Sequence, residues 1–111
     1  MAYTHKVVVG VDVVELEEEV DLYSVPELKK FSRELLKKSN KKIVFVLEKL
    51  RFIDSSGLGM LVNLSYECKQ MGVAFKLANL SPEATRTFDL TKMQANFEIF
   101  PTVNEAIRSF G

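Results

Sequence analysis

The sequence predicts an α/β domain with a mixed, mostly parallel central sheet of about five strands and about four helices. Three observations carry that reading. Short runs rich in valine and isoleucine alternate with segments whose apolar residues recur at helical spacing. Helix-start residues such as Asp54, Ser81 and Thr102 stand just ahead of those segments. A chain of 111 residues is long enough for one real core and too short for two, so residues 1–111 are expected to form a single domain.

The elements follow in order. His5 to Val9 and Val11 to Glu17 flank Gly10 and read as a hairpin. In its second strand Val11, Val13 and one of Val14 or Leu16 compete for the inner face, which leaves the register open by one residue. Glu15, Glu17, Glu18, Glu19 and Asp21 come next. They form either a solvated strand end or an acidic lip for a basic partner. Ser24-Val25-Pro26-Glu27 has the form of a helix start: Ser24 as cap, proline in the first turn, and Glu27 three residues on. Val25, Leu28, Phe31, Leu35 and Leu36 then make an apolar stripe. Lys37, Lys38, Lys41 and Lys42 gather at the helix end, where positive charge suits the dipole and solvent.

Ile43 to Leu47 lacks polar alternation, as a strand covered on both faces does. Asp54-Ser55-Ser56-Gly57 follows as a tight turn capping a helix whose inner positions are Leu58, Leu61, Val62, Ser65 and Cys68. Gly72 is placed to end that helix in a left-handed conformation. Val73 to Ala78 reads as a strand. Ser81-Pro82-Glu83 opens a short helix with Ala84 and Phe88 inward. Phe97 to Phe100 is a brief strand, and Thr102 caps a last helix with Val103, Ala106, Ile107 and Phe110 on one face. Right-handed crossovers would bring the turns after the second and third strands, with Asp21 and Ser55, to one edge of the sheet.

The Asp54–Gly57 turn is the most informative stretch. A helix start attracts anions through its unpaired amides and its dipole, and two serine hydroxyls there make a candidate phosphate-bearing switch. A capped helix and nothing more is the plainer reading of the same residues.

Composition narrows the function. Fifteen basic residues balance fifteen acidic ones, which is not the footprint of a nucleic-acid binder. There is no apolar run of the roughly 18 residues a membrane span needs, and the first residues lack the apolar core of a signal peptide. The one cysteine, Cys68, cannot form an internal disulfide and reads as a small core residue in a reducing cytoplasm. The one histidine, His5, reads as a solvent-facing residue at a strand start, and argues against a histidine triad or zinc site. Gly57 and Gly59 come without the lysine of a phosphate loop, so no cofactor and no metal are expected. The chain has the marks of a binding or switching module and not of an enzyme.

Three segments together resemble the STAS domain family, specifically the bacterial anti-sigma factor antagonists. They are residues 19–28 around Val20-Asp21, residues 52–59 around Asp54-Ser55-Ser56-Gly57, and Asn79-Leu80-Ser81-Pro82 leading to Phe88-Asp89-Leu90-Thr91. The resemblance spans nearly the whole chain. It implies a protein that binds an anti-sigma factor, itself a serine kinase, while unphosphorylated. The serine after the motif aspartate, here Ser55, would take the phosphate, and a serine phosphatase would remove it. Asp21 matches the family's neighbouring aspartate, and Ser56 a position given a capping role. The expected partner surface is Asp21, Leu22 and Tyr23 with Asp54, Ser56 and Gly57, continuing onto Met60 and Asn63, although Met60 would serve the core equally well. Two positions depart from the family: Glu18 where a glycine is frequent, which adds charge to the lip, and Val46 where an Asp or Asn is frequent inside the strand. The alternative is a STAS scaffold, or a subunit of a larger signalling or transport complex, that is never phosphorylated. The sequence leaves the oligomeric state open, with a monomer as the expectation.

Overall fold

In the computed structural model, which describes residues 2–38 and 40–111, the chain runs β1 (Tyr3–Val8), β2 (Val11–Leu16), β3 (Glu19–Val20) and α1 (Val25–Lys38). It continues through β4 (Lys42–Val46), β5 (Phe52–Ile53), α2 (Ser55–Gln70), β6 (Ala74–Ala78) and α3 (Pro82–Thr91). A 3-10 turn over Met93–Asn96, β7 (Glu98–Phe100) and α4 (Val103–Arg108) complete it.

The five-stranded sheet has the order β1-β2-β4-β6-β7. Only the β1–β2 hairpin is antiparallel, and the other three pairings are parallel. The hairpin turn Val9-Gly10 puts both residues at positive φ, +50° and +75°, the geometry of the tight primed hairpin turns. The competition foreseen in β2 resolves because both faces are covered. Val14 and Leu16 pack with α1, α2 and α3, while Val11 and Val13 pack with α4. The central β4 divides the same way, Ile43 and Phe45 to one side and Val44 and Val46 to the other, so it shows no polar alternation.

Two expectations are corrected. Ser24 does not act as a side-chain cap for α1. Its hydroxyl accepts the Asp21 amide at 2.9 Å, and Glu27 instead accepts the Ala2 amide at 3.2 Å, tying the chain start to α1. The inner face of α2 is carried by Leu58, Leu61, Leu64 and Cys68 with Met60 and Gly57, and not by Val62. His5 is exposed on β1 as expected, and its Nε2 also lies 2.9 Å from Oδ1 of the buried Asp12 with its ring edge-on to Phe31.

A buried lysine went unforeseen. Lys76, on the α4 side of β6, donates to Ser109 Oγ at 2.6 Å and lies over the Phe110 ring at 4.3 Å. Its ammonium is held by a hydroxyl, an aromatic face and Glu98 at 3.7 Å.

Candidate functional site

The site is assembled by a second, two-stranded sheet that lies apart from the first. β3 and β5 are two residues each and pair in parallel, Glu19 with Phe52 and Val20 with Ile53. The pairing extends at both ends: the amides of Arg51 and Phe52 donate to the Glu18 carbonyl at 2.8 and 3.1 Å, and the Asp54 amide donates to the Val20 carbonyl at 3.2 Å. This ladder places Asp21 and Asp54 side by side at its end, both half-buried.

Asp54 is the hub. Its Oδ1 accepts the Gly57 amide at 2.9 Å and so caps α2, and its Oδ2 accepts the Leu22 amide at 3.0 Å. One carboxylate therefore fixes both the helix start and the chain leaving β3. Asp21 shapes the next turn, with Oδ1 accepting the amides of Tyr23 and Ser24 at 3.0 and 3.1 Å. These bonds leave Leu22 and Tyr23 outside, 62 % and 88 % exposed.

Ser55 is the first residue of α2 and is exposed; Ser56 is half-buried beside it. The capping role that the resemblance gave Ser56 belongs to Asp54. Gly57 is buried where the chain has no room: a Cβ there would lie 2.7 Å from the Val20 carbonyl oxygen and from Ile53 Cγ1. Gly59 faces open space and has no such constraint. Asn63 is exposed on the outer side of α2, and Met60, one turn after Ser56, is 3 % exposed and belongs to the core.

Leu22, Ser55, Ser56, Gly59, Met60 and Asn63 form one side of a shallow groove of about 700 Å³, and the facing wall is α1. The structure thus brings the serine turn, Leu22 and Asn63 onto one continuous surface. The acidic residues before Asp21 are partly neutralised. Lys49 reaches Glu15 at 3.4 Å and Glu17 at 3.8 Å, and those carboxylates, Glu15 foremost, raise its ammonium pKa.

Two features of this surface escaped the sequence reading. Phe52 is 52 % exposed on β5. The signal was there, because Ile53 points inward and its strand neighbour must point out. The cations of α1 facing the serine turn are the other. Among the described residues no three His, Cys, Asp or Glu side chains converge as a metal site, and no helix is long and apolar enough to cross a membrane.

Comparison with known proteins places this geometry. The STAS domain family model matches residues 3–106. The chain is 32 % identical over 81 residues to the anti-sigma-B factor antagonist of Bacillus subtilis, covering 73 % of each protein. A Thermotoga maritima protein described as an anti-sigma factor antagonist superposes with a TM-score of 0.87 at 28 % identity, over 96 % of this chain and 92 % of that one. The anti-sigma factor antagonist SpoIIAA, solved in its unphosphorylated form, superposes with a TM-score of 0.81 at 25 % identity, over 98 % and 96 %. With its mixed sheet, its Asp54-capped α2 and these relatives, the chain belongs to the STAS domain family, among the anti-sigma factor antagonists.

Proposed function

We propose that the protein is a partner switch controlled at Ser55. Unphosphorylated, it binds an anti-sigma factor that is also a serine kinase, and the sigma factor is released. Phosphorylated on Ser55, it lets that partner go, and a serine phosphatase resets it. The exchange takes place in the cytoplasm and works by binding, not by catalysis on a substrate of its own. The partner face is Asp21, Leu22 and Tyr23, the turn Asp54-Ser55-Ser56-Gly57, and Asn63, with Met60 supporting it from beneath.

One observation carries the reading. Asp54 caps α2, so Ser55 stands exposed at the helix start and is not needed to hold it. Two effects of a phosphate there compete. It adds roughly 1.5 to 2 negative charges. The helix dipole stabilises that charge by about 0.3–1 kcal/mol at an exposed site. On the binding face the charge sits next to Asp54, and charge left imperfectly paired in an interface costs about 2–5 kcal/mol. The second effect is larger, so phosphorylation leaves the fold in place and abolishes docking.

The test is phosphate incorporation from native-cell extract and Mg-ATP, read by intact mass. Wild type and Ser56→Ala should each gain one phosphate, and Ser55→Ala none. Incorporation that survives Ser55→Ala and is lost in Ser56→Ala moves the site by one residue; no incorporation in any form leaves the serine turn a structural cap.

A further inference from the structure

The groove face of α1 is mainly cationic. Lys29, Lys30, Arg33 and Lys37 line the groove across from Ser55 and Ser56. At 100° per residue these four fall within an arc of about 100°, and they run about 12 Å along the helix axis. Glu34 lines the same groove beside them, and Glu27 lies on the flank toward β1. There Glu27 accepts the Ala2 amide, and both carboxylates help raise the pKa of the Tyr3 phenol, after burial.

A solvated helix of mixed charge gains from opposite charges interleaved at i, i+4. Here four cations face the groove with one carboxylate, Glu34, and among the described residues none of the four is held in an ion pair. The floor between the cations and α2 is apolar, with Leu22 exposed and Val25 and Met60 almost wholly buried beneath it. A protein with no net charge therefore presents one strip that is both cationic and greasy.

We propose that this groove docks an acidic amphipathic helix of the protein partner, with apolar side chains on Leu22 and carboxylates toward Lys29, Arg33 and Lys37. The length of the strip, the apolar floor and the complementary charge fit a helix laid in a groove. A nucleotide would need a compact pocket with its phosphates on a glycine-rich loop, and the open groove has neither. The inference rests on the reading of the chain as a partner-binding regulator and adds the chemistry of what it binds. Docking here would seat the partner directly beside Ser55.

The test uses the whole protein and a fluorescein-labelled 15-residue helical peptide with Glu on one face and Leu on the other. Anisotropy should report binding that weakens with salt. Lys29→Glu/Arg33→Glu should weaken it about tenfold, as should Gln in place of the peptide's Glu residues. Lys6→Glu, on β1 away from the groove, should leave it unchanged. Equal loss with Lys6→Glu would reduce the effect to general charge attraction, and competition by inorganic triphosphate at lower concentration would make the groove a small-anion site; either overturns the proposal, as does no binding. Ser55 phosphorylation by native-cell extract is read on the same proteins. A wild type that binds the peptide but takes no phosphate removes the switch and keeps the groove. One that takes phosphate but does not bind the peptide removes the groove and keeps the switch.

Discussion

Gly57→Ala and Gly59→Ala are the same chemical change two residues apart in one helix, and they should move stability in opposite directions. Relieving a helical glycine is worth up to about 1 kcal/mol on propensity alone. At Gly59 the added methyl meets nothing within 4 Å, so that gain is realised. At Gly57 the methyl lies 2.7 Å from the Val20 carbonyl oxygen, 2.7 Å from Ile53 Cγ1 and 2.8 Å from Val20 Cγ1. The carbonyl is the decisive neighbour. It is backbone, and it already accepts the Asp54 amide at 3.2 Å, so it cannot swing aside as a side chain could. Overpacking of this kind costs about 1–3 kcal/mol, which exceeds the propensity gain. With a backbone neighbour this close the cost falls at about 2–3 kcal/mol, and less the propensity gain the expected net loss is about 1–2 kcal/mol, or roughly 5–10 °C in melting temperature for a domain of this size. Urea titration followed by circular dichroism measures both variants against wild type. Gly57→Ala as stable as Gly59→Ala would refute the argument that β3 and α2 are in unyielding contact at this point.

Two further outcomes follow from the same geometry. Asp54→Ala removes the α2 cap and leaves the Leu22 amide without its carboxylate, and should cost about 2–3 kcal/mol in urea unfolding; a loss below about 0.5 kcal/mol would show that the carboxylate does not join the two segments. Burial, then Glu67, pushes the Cys68 thiol up to about 12 from its ordinary 9.0, so above pH 9 the unfolded chain releases a proton the native protein keeps. Cys68 stabilisation is therefore complete below pH 9 and falls by about 1.4 kcal/mol per unit above it. Between pH 9 and 10 wild type should lose more stability than Cys68→Ala, and parallel curves would contradict the thiol's burial.

Most of the main sheet and its helices could be read from the chain because each is a local signal repeated. Valine-rich runs, Ser81 and Thr102 as caps, and Gly72 at φ +70° all act within a few residues of where they sit. What escaped depends on distant partners. β3 and β5 are two residues each, too short to show alternation, and exist only because Val20 meets Ile53 across the fold. Ser24 has the local form of a cap, yet the Asp21 amide takes its hydroxyl instead. Val62 and Leu64 suit the core equally by composition, and the packing of α2 buries Leu64 and leaves Val62 half-buried. Nothing local marks Lys76 as buried, because the Phe110 ring that covers it comes from the far end of the chain. At the site, Asp54, Ser55 and Gly57 were legible as a turn. That one carboxylate also grips Leu22, 32 residues earlier, was not.

The separateness of the β3–β5 ladder has a consequence for how the molecule breathes. The amides of Leu22 and Asp54 are protected by a few bonds near the surface, while those of β4 lie between two parallel neighbours at the centre of the sheet. Hydrogen exchange should therefore divide the protein into two cooperative units, the ladder opening at a fraction of the free energy that releases β4. The surface around Ser55 can then open locally while the five-stranded sheet stays closed.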